Sequence, residues 1–121
     1  MIRHLTGDPP EMAARATKAL ASADELLLAD LIVAECVYVL ESFYEVPRER
    51  VAELMRAAIA LPAIKALDAA TLLRALEVYE VDRLDFAEAY LIAQTEATGV
   101  AAILSFDKTI DRVKTVTRHE P

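Results

Sequence analysis

Two glycines, one cysteine and two histidines are all that this chain of 121 residues has of those types, and each scarcity excludes something. The single cysteine, Cys36, forms no intramolecular disulfide. With the two histidines far apart in sequence, it also leaves no zinc-type ligand spacing, so any metal would have to be a hard cation held by carboxylates. Poverty in glycine, beside 55% hydrophobic and 27% charged residues, is the profile of a helix-rich globular chain. No period of solenoid length is visible, and 121 residues suffice for one core without a disulfide or structural metal. Long apolar runs are missing too. The stretch "LIVAECVYVL" is about half of the ~20 residues a membrane helix needs, and Glu35 interrupts it. The start, "MIRHLTGDPP", lacks the apolar core and cleavage site of a signal peptide. A reducing, cytoplasmic setting with no membrane association is the expectation. Positive charge is short as well: 13 Lys and Arg against 20 Asp and Glu give a net charge of −7. That disfavours coating nucleic acid by bulk electrostatics. It leaves open an enzyme that recruits a phosphodiester through cations held in an acidic pocket.

The patterning predicts an α/β chain. Asp8, Pro9 and Glu11 read as the start of a helix through "GDPPEMAARATKALASA". Leu26 to Ala29 reads as a buried strand, Leu31 to about Tyr44 as a largely buried helix, and Pro47 as the opening of an amphipathic helix ending near Pro62. "AIKAL" is a strand candidate, Asp68 a cap for "AATLLRALEVYE", and Asp85 precedes a helix that stops at Gly99. "VAAILSF" is the clearest strand; a helical turn around Lys108 to Val113 and a strand near "KTVTR" follow. Strands separated by helices imply a parallel sheet with helices on both faces. Sites in such sheets lie beyond the carboxyl ends of the strands.

Three carboxylates then need explaining. Glu35 has apolar residues on both sides, and no Lys or Arg occurs between Lys18 and Arg48. It is either an outward-facing residue, one half of a distant salt bridge, or a ligand, because burying an unpaired carboxylate is expensive. Glu88 stands three residues after Asp85, so "DFAE" is a capping box, yet a carboxylate in the first helical turn is also held charged by the helix dipole. Asp107 reads equally as the cap of the next short helix or as a ligand. Asp111, four residues on, reads as a solvated or auxiliary acid. Glu35, Glu88 and Asp107 each follow a different strand, so the fold could bring them together. Convergent carboxylates repel, and Mg²⁺ or Mn²⁺ held by a few of them suits phosphodiester hydrolysis.

Three stretches then carry a family resemblance: "IRHLTGDPPEMAARA", "LLLADLIVAECVYVLESFYEVPRE" and "LDFAEAYLIAQTEATGVAAILSFDK". Together they resemble the PIN-domain ribonucleases, and among them the VapC-type toxins of bacterial toxin-antitoxin pairs. The resemblance implies a single PIN-like domain over 1–121 with a three-layer α/β fold. Family members begin with a short central strand ending in an Asp-Thr-Asn-like motif, which is absent upstream of "IRHLTGDPP"; the expectation is an N-terminally truncated domain without the first metal-binding aspartate. Three of the four acidic positions of the family map onto Glu35, Glu88 and Asp107, and Asp85 onto an auxiliary one. Glu88 departs from the usual aspartate.

By the resemblance, the chain is a Mg²⁺- or Mn²⁺-dependent endoribonuclease leaving 3′-hydroxyl and 5′-phosphate ends. Glu35, Glu88 and Asp107 would hold the metal, with Asp85, Asp111 and Ser105 in support and Lys108, Arg112 and Lys114 contacting RNA phosphates. It would be restrained by a cognate antitoxin and would form a homodimer, with Leu31 to Tyr44 and Val51 to Leu61 as apolar contact surfaces. The competing readings are a non-catalytic PIN-like binding protein and a receiver-type signalling domain, the latter disfavoured by the lack of an early acidic pair.

Overall fold

The computed structural model describes all 121 residues, and they fall into two units, Met1–Leu67 and Asp68–Pro121. Helices and short parallel ladders alternate, giving the mixed α/β class expected of a PIN-like fold. No helix is long and apolar enough to cross a membrane.

The first unit runs α1 (Ile2–Thr6), α2 (Pro10–Ser22), β1 (Leu26–Leu27), α3 (Asp30–Ser42), α4 (Arg48–Ile59) and β2 (Ile64–Lys65). Gly7, with φ of 70°, ends α1 in the left-handed region that glycine tolerates. Asp8 does not cap α2 as expected. Pro9 occupies that position, and the Asp8 carboxylate instead accepts a hydrogen bond from the Tyr44 hydroxyl at 2.9 Å, an engagement across the unit that competes with local capping. In α3, Val33, Cys36, Val37 and Leu40 are buried, at the spacing of one helical face. The matching stripe of α4, Val51, Ala52, Met55 and Ala58, is buried as well, and the two helices pack together. The valines, Leu40 and Met55 each contribute about 1.5–3 kcal/mol on burial. The apolar surface expected along Val51 to Leu61 is thus largely consumed inside the fold.

Two other expectations need correction here. α3, expected to be largely buried, buries one face only: Leu31, Ile32 and Tyr38 are exposed at 72%, 42% and 69%. Nor is Leu26 to Ala29 a buried strand. Only Leu26–Leu27 is strand, both residues are exposed, and Leu28 alone of the segment's leucines is in the core.

The second unit runs α5 (Ala69–Glu77), a π-helical turn (Val78–Asp82), α6 (Phe86–Thr98), β3 (Ala102–Leu104), a 3₁₀ turn (Lys108–Arg112) and β4 (Thr117–His119). Asp68 caps α5 as expected, accepting from the Thr71 backbone N–H at 3.0 Å. Gly99 closes α6 at φ of 75°. Leu72, Leu76, Tyr79, Leu84, Ile92 and Ile110 fill the core. The Arg74 guanidinium spans α5 and α6 by donating from Nε to Glu96 Oε1 at 2.8 Å and from Nη2 to Oε2 at 2.9 Å. Thr115 also donates to Glu96.

Parallel pairing is found where it was expected, but in two separate ladders. β1 pairs with β2 in the register Leu26 to Ile64, and β3 with β4 in the register Ala102 to Thr117. Each ladder is two strands wide. Strands of two or three residues offer few ladder bonds.

Candidate metal centre

In the second unit, the chain leaves the π-helical turn through Arg83, at φ of 62°, and then runs extended into Asp85. Arg112 secures this exit by donating to the carbonyls of Asp82 at 3.3 Å and Arg83 at 3.2 Å. Asp85 caps α6, its Oδ1 accepting from the Glu88 N–H at 2.8 Å. Glu88 consequently stands in the first turn, half-buried, on the helix face beside its cap.

Asp107 follows β3 and caps the 3₁₀ turn. Its Oδ1 accepts from the Thr109 N–H at 2.9 Å and the Thr109 hydroxyl at 2.7 Å. Ser105 fixes the backbone beneath it, its hydroxyl oxygen accepting from the Asp107 N–H at 3.0 Å. The Thr109 hydroxyl also lies 3.3 Å from Glu88 Oε2. A threonine has one hydroxyl proton, and the shorter contact gives it to Asp107. The Thr109 hydroxyl thus serves Asp107 and stands beside the α6 carboxylate.

The outcome is a cluster. One carboxylate oxygen from each of Asp85, Glu88 and Asp107 lies within 4.8 Å of the others. Burial, a hydrogen bond with Asp107 and the nearby charges of Asp85 and Asp107 push the Glu88 carboxyl up to about 7. Asp107 moves the other way, held below the usual carboxylate range by its hydrogen bonds with Glu88 and Thr109. Asp107 is thus at once the residue that starts the 3₁₀ turn and one wall of an acidic site. Oxygen ligands of this kind fit Mg²⁺ or Mn²⁺. Burial first, and then the neighbouring carboxylates, suppress the ionisation of Glu88, and a divalent cation would relieve the part that is repulsion.

The remaining candidates are placed differently. Asp111 is held by Arg118, which donates from Nε at 3.0 Å and Nη2 at 3.1 Å, and this keeps its carboxyl below the ordinary range. Lys114 donates to the Asp111 carbonyl at 2.8 Å, Arg112 is spent on the carbonyls described above, and Lys108 is exposed. Glu35 belongs to the first unit. It is exposed on α3 and lines an open pocket of about 320 Å³ with Met1, Ile2, Ile32, Cys36 and Val39. The penalty for a buried, unpaired Glu35 therefore does not arise: the outward-facing alternative holds for its burial. Cys36 beside it is buried, and burial pushes its thiol up.

Sequence reasoning missed Thr109 and Arg118. The first was legible, since a threonine two residues after a capping aspartate is a local turn pattern. The second was not, because Arg118 meets Asp111 only through the fold around β4.

Comparison with known proteins gives one finding. The PIN-domain family profile matches residues 1–116, and the chain belongs to that family, whose members are generally nucleases that typically use divalent metals. No curated protein and no solved structure matches it significantly.

Proposed function

We propose that this PIN-domain chain is a Mg²⁺- or Mn²⁺-dependent endoribonuclease of the VapC type, the toxin of a toxin-antitoxin pair working in the cytoplasm. The observation that carries this reading is the convergence of Asp85, Glu88 and Asp107. Both caps use Oδ1, so the second oxygen of Asp85 and of Asp107 stays outside the capping bonds. These three residues would hold the cation. Glu35 keeps a ligand role as a proposal resting on the family resemblance and not on geometry.

A bound cation of this class supplies charge to the phosphodiester oxygens and lowers the pKa of attacking water. The protein's part is to fix the acids before substrate arrives. Ser105 and Thr109 immobilise Asp107, while the α6 cap immobilises Glu88. Lys108 is free to meet a phosphate, whereas Arg112 and Lys114 would have to give up backbone carbonyls to do so. The water oxygen bonds to phosphorus as the bond to the 3′ oxygen breaks, leaving 3′-hydroxyl and 5′-phosphate ends. A cognate antitoxin and a second copy are the proposed partners, and the exposed Leu31, Ile32 and Tyr38 of α3 are the apolar surface available to them.

The test is cleavage of a mixed single-stranded RNA pool with Mg²⁺, Mn²⁺ or EDTA. Cleavage is expected with either metal, none in EDTA, and a loss on the order of 100-fold in Asp107→Asn. One observation favours a second reading, a non-catalytic binding protein: capping alone accounts for Asp85 and Asp107. Absence of cleavage, with melting curves indifferent to millimolar Mn²⁺, would decide for it.

A further inference from the structure

Arg3 and Arg15 are the arginines that the fold leaves without a partner. The other arginines are engaged, as Arg50 is with Glu53, Arg74 with Glu96 and Arg118 with Asp111. Arg3 lies on α1 and Arg15 on α2, yet both line one open pocket of about 340 Å³, together with Met12 and Ala16. Its size is at the lower end of the ~300–1,000 Å³ typical of ligand sites.

The pocket is held in shape. Gly7 turns the chain between the two helices, and His4 Nδ1 and the Thr17 hydroxyl join them at 2.8 Å. Met12 and Ala16 are one turn apart on α2, and Met12 is 43% exposed, so the pocket has an apolar part of its lining beside the two arginines. Glu11, one turn before Arg15, makes no ion pair with it. Lys18, one turn after, is exposed. In a chain of net charge −7, where the remaining guanidinium groups are satisfied internally, two unneutralised ones around one cleft call for an anion.

We infer that this pocket binds the phosphate backbone of single-stranded RNA, with Arg3 and Arg15 on phosphate oxygens and a ribose or base against Met12 and Ala16. The choice of RNA as the polyanion rests on the ribonuclease reading above. Guanidinium groups pair bidentately with phosphate and carboxylate alike, so the feature that favours RNA over an acidic peptide is the apolar part of the lining, which accepts the flat parts of a nucleotide.

The experiment is fluorescence anisotropy of a labelled oligouridine in EDTA, which separates binding from cleavage. The double variant Arg3→Ala/Arg15→Ala should bind about tenfold more weakly, and the salt slope of its affinity should fall by about 0.7 for each phosphate that is no longer neutralised. Arg3→Lys/Arg15→Lys, which keeps the charge, should fall between the two and guards against misfolding of the alanine variant. Poly-glutamate should not displace the RNA. Wild-type protein that does not bind, a double variant with unchanged affinity and slope, or displacement by poly-glutamate as effective as by unlabelled RNA would each overturn the inference. The two readings fail separately. Metal-dependent cleavage with arginine-independent binding sinks the pocket alone, whereas arginine-dependent binding without cleavage sinks the nuclease alone.

Discussion

Glu88 and Glu96 sit at the two ends of α6, two helical turns apart, and the fold drives their carboxyls in opposite directions. Both lose some hydration, which by itself raises a carboxylate. At Glu88 the neighbours add to that effect: Asp107 and Asp85 are like charges, and the carboxyl is pushed up to about 7. At Glu96 they reverse it. Arg74 grips both oxygens and Thr115 donates to one, holding the carboxyl below its ordinary range. The same side chain on the same helix is thus a fastener at one end and an unneutralised acid at the other. Burial leads at Glu88, and it is the partners that overrule it at Glu96. A cation has something to gain at Glu88 and nothing at Glu96.

The largest expected effect separates the two ends by activity. Glu88→Gln should lower Mn²⁺-dependent RNA cleavage on the order of 100-fold, as loss of a ligand or its close support does. Glu96→Gln should leave cleavage within a few-fold. The same pair should divide in thermal melts: Mn²⁺ at a hundred times its Kd stabilises a native-state binder by ~2.7 kcal/mol, and that gain should vanish in Glu88→Gln but persist in Glu96→Gln. Equal responses of the two variants would break the comparison and remove the reason for placing a cation at this end of α6.

The two caps of the Glu88 end could be read in advance, because each is local, whereas the meeting of Glu88 with Thr109, 21 residues away, belongs to the fold. Asp85 accepts from the Glu88 N–H three residues on, Asp107 from the Thr109 N–H two residues on, and both acids stand at recognisable helix starts. The Glu96 end could not. Arg74 is 22 residues from Glu96 and Thr115 is 19, so the pairing exists only once α5, α6 and the approach to β4 are assembled. The sequence leaves Glu35 open, with an outward-facing place among its alternatives. Its apolar neighbours do not decide between these, and the helix, which needs only Val33, Cys36, Val37 and Leu40 for its core face, turns Glu35 outward. Strand widths were equally illegible: "VAAILSF" has the composition of a long strand, but only Ala102–Leu104 pairs.

A smaller effect concerns stability alone. Arg74→Met removes the fastener and leaves Glu96 partly buried beside Thr115. Breaking a fully buried pair costs ~3–5 kcal/mol, but the side chains here are 31% and 21% exposed, so solvent screening reduces the loss to about 1–3 kcal/mol. Urea denaturation should show it as a lower midpoint with an unchanged slope. Metal-dependent cleavage, measured well below the new melting temperature, should be unaffected. A variant that loses cleavage while remaining folded would mean that the two ends of α6 are coupled rather than independent.

The smallest effect is in pH, where the signs of the two glutamates can be set against each other in metal-free protein. Glu88 has its folded-state pKa raised from 4.5 to about 7. Its contribution to stability is therefore fully present below about pH 4.5 and is lost as the pH rises through 7. Glu96 has a lowered folded-state value; its contribution is present above the unfolded pKa and is lost only as the pH falls through the folded one. Between pH 5 and 8.5, a window set by ordinary carboxylate values of about 4 to 4.5, Glu96 is flat and Glu88 is not. In EDTA the wild-type melting temperature should carry a decline across that window that Glu88→Gln lacks and Glu96→Gln retains. Allowing for solvent at a half-buried site, the difference is about 1 kcal/mol, roughly 4 °C. Subtracting the variant curve from the wild-type curve cancels the histidines and the other acids common to both. Saturating Mn²⁺ should abolish or invert the decline, since a ligand must give up its proton to bind. If the difference curve is flat in EDTA, Glu88 is not held against its neighbours, and the repulsion that makes this end of α6 receptive to a cation is absent.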